Sequence, residues 1–238
     1  MAPRATDSPT VSKDSHRIRS MFGAIAPVYD MLNHLLSLNI DQAWRRFTVR
    51  AALRETDRHV LDVACGTGDL TAQLRRAAAP AAQVVGVDFC EPMLRIAMRK
   101  QPVPFLLADG LHLPFAAQSF DLLTIGFGLR NMESLEAGLR EMRRVLRPGG
   151  RLAILEFTTP RNPVIRAVYL LYFRRLLPAI GNLVSRSEAY GYLSRSVLEW
   201  PSPRELARIL KRCGYRHVRH AELSLGIAVL HIAERAPR

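Results

Sequence analysis

The chain predicts an open, mostly parallel β-sheet covered on both faces by helices: a doubly wound α/β fold of seven strands, the last running antiparallel. Three observations carry this reading. From about residue 57, short β-rich runs alternate with helical ones at the spacing of a parallel sheet. The first strand-to-helix junction, LDVACGTGDL, places glycines at 66 and 68, where backbone N–H groups can meet a ligand at the edge of a sheet. The last two strand-like runs, HVRHAELS and GIAVLHIAER, are joined across Leu225 and Gly226, so those strands must pair antiparallel.

The elements follow in order. Residues 15 to 54 read as two or three short helices centred on APVYDMLNHLLSL. HVLDVA is the first strand and DLTAQLRRAA its helix; AQVVGVD and EPMLRIAMRK repeat the unit. VPFLLAD and FDLLTIGF are the third and fourth strands, SLEAGLREMRRVL is a helix, and GRLAILEF is the fifth strand after an RPGG turn. Beyond Phe157 the alternation gives way to a helical insertion, and PRELARILKRCGY leads into the final strand pair. The expected organisation is a disordered stretch over 1–14 and one domain over 15–238. Within it, 15–54 form a helical cap, 57–157 a cofactor-binding core, 158–202 an insertion covering a substrate, and 203–238 the closing helix and strands.

With 238 residues, 48% of them hydrophobic, the chain can bury one full-sized core. Cys65, Cys90 and Cys213 are too far apart for a metal pattern and odd in number, which suits a reducing cytosol and predicts no metal site. The polar N-terminus has no signal-peptide core. Arg166, Arg174 and Arg175 interrupt the most lipid-like stretch, VIRAVYLLYFRRLLPAI, short of the ~20 apolar residues of a membrane span. A cytoplasmic protein is expected. Its net charge of +13, almost all from arginine, allows peripheral contact with an anionic membrane face. A homodimer is compatible with the sequence. Nucleic acid is not an expected partner: no aromatic-basic platform for stacking bases is present, and GFGLRN stands after the fourth strand where base-amine methylating enzymes place an Asn/Asp-Pro-Pro-aromatic motif.

The glycine loop fits two ligand classes, dinucleotides and adenosyl sulfonium compounds. A dinucleotide fingerprint needs a third glycine where Thr71 stands, and Asp69 at the helix start would repel a pyrophosphate. S-adenosylmethionine has no phosphate and carries two cationic groups, so acidic residues near the loop, Asp62 and Asp69, favour it. Asp88 ends the second strand, placed to accept both ribose hydroxyls, and Asp109 ends the third, placed to accept the adenine amino group. Met93 is expected on the adenine face. A ligand carrier that keeps this loop without catalysis is the non-enzymatic alternative.

In order along the chain, MFGAIAPVYDMLNHLLS, LDVACGTGDL, GFGLRNM, LREMRRVLRPGGRLAILEF, YGYLSRSV and GIAVLHIAE resemble the UbiE/MenG/Coq5 family of quinone-biosynthesis C-methyltransferases over about residues 15 to 235. The resemblance implies a Rossmann-like class I methyltransferase fold, S-adenosylmethionine as cofactor, and a polyprenylated quinol as acceptor. It points first to demethylmenaquinol; a methoxy-polyprenyl-benzoquinol or another small acceptor is the alternative. By the same resemblance Thr67, Asp88, Asp109 and Gly110 hold the cofactor together with Gly66 and Gly68. A further family position, often serine, falls on Gly126, where contact must come from backbone. Arg130 is expected to stabilise the acceptor's phenolate or hold a water that accepts its proton, with Asn131 fixing the quinol oxygen and Tyr29 closing the transfer pocket; a structural salt bridge for Arg130 and a helix N-cap for Asn131 are the alternatives. His34 is a candidate proton relay. Val168, Leu170, Leu171, Tyr172, Phe173 and Leu177 are expected to line a trough for the polyprenyl tail, with Tyr190 and Tyr192 at its opening.

Overall fold

The computed structural model describes residues 14–172 and 189–236. The expectation of disorder at the N-terminus and the trough residues Phe173 and Leu177 lie outside this range. Seven strands form one sheet: β1 (His59–Val63), β2 (Gln83–Asp88), β3 (Phe105–Leu107), β4 (Phe120–Gly126), β5 (Leu146–Phe157), β6 (Tyr215–Leu223) and β7 (Ala228–Arg235). Their order is β3-β2-β1-β4-β5-β7-β6. The first five run parallel, and β7 inserts antiparallel between β5 and β6. The alternation read from residue 57 onward, and the antiparallel finish, are therefore present.

Strand five differs from expectation. It begins at Leu146 and takes in the RPGG segment, because Leu146 already pairs with Phe120 across a bulge before regular pairing resumes at Leu122 and Arg151.

Nine helices of the described residues surround the sheet: α1 (Ser15–Ile25), α2 (Tyr29–Leu36), α3 (Ile40–Ala52), α4 (Asp69–Ala77), α5 (Glu91–Lys100), α6 (Leu135–Val145), α7 (Pro163–Leu171), α8 (Ala189–Leu198) and α9 (Pro203–Arg212). On one face, Leu139 and Met142 of α6 and Leu206 and Leu210 of α9 pack onto Leu123, Ile125 and Leu152. On the other, Val49 of α3 and Leu70 and Leu74 of α4 pack onto Val60, Leu122 and Ala153. Strands buried on both sides explain the near-continuous apolar runs that made them legible.

Two further packing units matter for function. Ile25 and Ala26 of the N-terminal segment seal against Cys90 and Met93 of the second βα unit. Leu32 of α2 meets Tyr169 of α7 and Val197 of α8. The N-terminal helices thus bridge the sheet's carboxyl edge and the insertion.

Candidate active site

The loop from β1 to α4 is held by φ > 0 at Ala64, Gly66 and Gly68. Nothing lies within 4 Å of the point where a Cβ on Gly66 would project, so the backbone there is open to a ligand. Two carboxylates shape the loop. Asp62 is 1% exposed and accepts from the hydroxyls of Thr71 (2.6 Å) and Thr124 (2.7 Å). Thr71, the residue that breaks the dinucleotide spacing, therefore ties α4 to β1 through this carboxylate. Asp62 supports the loop through these two hydroxyls rather than through a free carboxylate at the ligand face. Asp88 accepts from the backbone N–H of Gly66 and of Cys90, each at 2.8 Å. A carboxylate has about four acceptor positions, so these amides leave capacity for a ribose hydroxyl. Burial pushes both Asp62 and Asp88 up to about 6, against the hydroxyl and amide donors that pull them down.

Asp109 stands half-exposed after β3, with Oδ1 accepting from the N–H of Leu111. Beside it, a Cβ on Gly110 would fall 2.5 Å from Met132 Cε, so a larger residue there would have to displace the end of that side chain. Met93 is buried in the Ile25–Cys90 cluster, behind the strand-end carboxylates. Thr67 donates to Asp30 of α2, whose other oxygen pairs with Lys100. Lys100 also meets Asp69 at 3.1 Å, so the carboxylate expected to attract a cationic ligand already carries a lysine. In place of free charge, this cluster latches the N-terminal helices onto the glycine loop.

The chain after β4 approaches the same loop from the other side. A Cβ on Gly128 would fall 2.6 Å from the Ala64 Cβ, so only glycine lets the two turns touch. At Gly126 a Cβ would lie 3.2 Å from Leu70 Cδ2, a tight contact with α4. Between these glycines Phe127 holds φ +59°, a strained conformation for a bulky residue. It turns its carbonyl to the Nη1 of Arg130 at 2.6 Å.

Arg130 is 5% exposed. Its Nη1 also donates to Glu156 at 2.8 Å, and its backbone N–H donates to the other Glu156 oxygen at 3.2 Å. Glu156 is fully buried at the end of β5. Arg130 Nε is buried with no hydrogen-bond partner among the described residues. Asn131 Oδ1 accepts from Tyr192 at 3.2 Å, joining this turn to α8.

Phe127, Arg130 and Tyr192 border a cavity of about 240 Å³ between the N-terminal helices, the β4 and β5 ends and the insertion, whereas Asn131 and Glu156 are not among its lining residues. Tyr29, Arg130, Tyr172 and Tyr192, all singled out from the sequence, line it together. Arg45, Asp41, Trp44 and Phe157 line it too, and no sequence signal marked them as functional. Burial raises the Tyr29 phenol, while Arg130 and Arg45 pull it down, so its hydroxyl senses both guanidiniums. His34 does not line the cavity; its Nδ1 is 3.0 Å from Asp41 Oδ2, which makes it a partner of a wall residue. Val168 and Leu171 are exposed on α7 and, among the described residues, do not line the cavity.

The donor set suits S-adenosylmethionine: an open glycine turn, carboxylates at successive strand ends and, among the described residues, no cationic cradle for a phosphate. Comparisons with known proteins agree. A demethylmenaquinone methyltransferase of Thermus thermophilus is 46% identical over 221 residues, covering 90% of this chain and all of the relative. A ubiquinone/menaquinone biosynthesis C-methyltransferase of Geobacter sulfurreducens is 41% identical over 232 residues, covering 94% of this chain and 91% of the relative. The fold matches that of a SAM-dependent methyltransferase from Thermotoga maritima with a TM-score of 0.66 at 19% identity, over 90% of this chain and 99% of the other. The model of the ubiE/COQ5 methyltransferase family matches residues 10–235, nearly the whole chain, and with the site just described it makes this protein an S-adenosylmethionine-dependent methyltransferase of that family.

Proposed function

We propose that the protein methylates a ring carbon of a polyprenylated quinol, with demethylmenaquinol the acceptor that its relatives' names favour. One observation carries the reading: an aromatic-walled cavity, lined by Phe127 of the turn that packs on the glycine loop at Ala64, presents a buried arginine whose Nε has no partner among the described residues. Bound S-adenosylmethionine supplies an electrophilic methyl group. A quinol carbon attacks well only when the neighbouring hydroxyl ionises. Taking tyrosine's pKa of about 10 as a guide, the anion is roughly one part in a thousand at pH 7, a deficit of about 4 kcal/mol.

Arg130 does not deprotonate, so it serves as a donor that stabilises the phenolate; such preorganised donors are worth about 3 kcal/mol. Glu156, Phe127 and the Phe157 ring fix its position, so no reorganisation is needed when charge develops. Asn131, held by Tyr192, stands beside it, and Tyr29 shuts the cavity on the N-terminal side. Asp88, Asp109, Gly110, Thr67 and the loop glycines are the cofactor's binding groups in this reading. Asp62 and Met93 set the loop and its apolar backing.

The exposed apolar residues Val164, Val168 and Leu171, spaced along one side of α7, provide the contact with a lipid surface in which a prenylated substrate resides. No helix of the described residues is long and apolar enough to cross a membrane.

The test is to incubate the protein with methyl-labelled S-adenosylmethionine and each reduced demethyl quinone in turn. Label in menaquinol is expected. Label only in a benzoquinol product would shift the acceptor, and transfer to no quinol would overturn the reading.

A further inference from the structure

The cavity contains the same device twice. Arg130, 5% exposed, pairs with the buried Glu156 and lies with Cζ 5.6 Å from the centre of the Phe157 ring. Arg45, 8% exposed, pairs with the buried Asp41 one turn earlier on α3 and lies with Cζ 5.4 Å from the centre of the Phe127 ring. The two rings stack on each other, 4.6 Å between centres and 33° between planes. Trp44 packs against both, at 6.2 and 6.0 Å.

Burying one guanidinium costs several kcal/mol even when it is paired, and burying two against one aromatic stack is an unusual expense for a wall that only needs to be apolar. A guanidinium offers five N–H donors in a planar fork. Arg130 commits Nη1 to Glu156 and to the Phe127 carbonyl and leaves Nε buried without a partner among the described residues. Arg45 commits Nη1 to Asp41. Each carboxylate cancels the charge of its arginine, so the pair supplies donors without loading the cavity with net charge. Both arginines pull on the phenol of Tyr29, so their fields meet in one space.

A quinol differs from an ordinary phenol in having two oxygens, on opposite edges of one ring. We propose that Arg45 is a specificity-determining residue: Arg130 holds the oxygen beside the carbon that is methylated, Arg45 holds the oxygen para to it, and the cavity therefore selects 1,4-dihydroxylated rings over rings with a single hydroxyl. The inference rests on the quinol reading above and adds to it a residue and a reason for the two-oxygen requirement.

The experiment measures dissociation constants by calorimetry, with S-adenosylhomocysteine present, for a prenylated 1,4-naphthalenediol kept reduced and for the same ring lacking the hydroxyl para to the reacting one. Wild-type protein is expected to favour the diol by about tenfold or more, the worth of one charge-assisted hydrogen bond. Arg45→Gln should remove most of that preference and leave the affinity for the single-hydroxyl ring within about twofold. Arg45→Lys keeps the charge opposite Asp41 and should retain part of the preference; it also carries the test if Arg45→Gln fails to fold. Equal weakening toward both rings in the variants would reduce Arg45 to a structural ion pair and overturn the proposal, as would a wild-type protein without preference. Wild-type methylation of the quinol in either of those cases would leave the functional reading standing; binding of neither ring by wild type would defeat both.

Discussion

The two halves of the site are built on opposite principles. On the cofactor side, Asp62 and Asp88 of adjacent strands brace one glycine turn: Asp88 accepts from Gly66 of the turn and from Cys90, and Asp62 from Thr71 of the following helix and Thr124 of β4. On the acceptor side, two arginines from segments 85 residues apart converge on an aromatic stack, each anchored by a carboxylate. The first half is held by hydrogen bonds between neighbouring strand ends and their loops, with the N-terminal helices latched on through Thr67 and Asp30. The second half exists only where the N-terminal helices, the β4 and β5 ends and the insertion close on one another. The difference teaches that this fold delivers its cofactor site from topology, while the acceptor site depends on tertiary closure around buried ion pairs.

The contrast can be broken most severely at Glu156. Glu156→Ala leaves Arg130 buried without its counter-charge and should cost about 3–5 kcal/mol of stability, read by denaturant unfolding. A stability loss below about 1 kcal/mol would mean that solvent reaches this pair. Next in size, Arg130→Lys keeps a cation opposite Glu156 but loses the planar fork. Turnover should fall roughly 100-fold while S-adenosylmethionine affinity stays unchanged, and near-normal turnover would remove Arg130 from the reaction. Gly128→Ala tests the point where the halves touch: a methyl 2.6 Å from the Ala64 Cβ should cost about 1–3 kcal/mol and weaken cofactor binding and turnover together.

A smaller effect sharpens the cofactor side. The Asp88 carboxyl titrates at about 6, above its ordinary value, because burial disfavours its charge. Two ribose hydroxyls need the ionised form as acceptor, so cofactor affinity should rise as pH increases through about 6 and level off above it; Asp88→Asn should flatten that rise in a calorimetric titration. The smallest effect concerns the lipid surface. Replacing Val168 and Leu171 by Ser should reduce co-sedimentation with anionic vesicles several-fold, about 0.8 kcal/mol being lost per buried methylene, while activity toward a short-chain quinol in solution is kept. Unchanged vesicle binding would take α7 out of the contact.

The cofactor half was largely legible because its signals are local. A β run, two glycines and a turn-ending aspartate lie within a few residues of each other, and the repeating βα unit returns the chain to the same edge. Even there the roles shifted: Asp62 braces the loop, and Asp69 answers Lys100. On the acceptor side GFGLRN was conspicuous, and the family resemblance pointed to Arg130, Asn131 and Tyr29. Arg45 and Asp41 were not visible, since a charged pair one turn apart on an amphipathic helix reads as a solvated face until the helix is seen to turn that face inward. Glu156, at the end of the apolar run LAIL in β5, was an anomaly that could have betrayed a buried cation.

The sequence by itself determined the sheet, its strand polarity and the class of cofactor, because periodicity, glycine spacing and strand-end carboxylates act over distances of a few residues. Only the tertiary structure decided where Arg130 finds its partner and that Arg45 shares its cavity. A buried charge is tolerable only beside a counter-charge, and for Arg130 that counter-charge is Glu156, 26 residues away in the chain and brought to it by the pairing of β4 with β5.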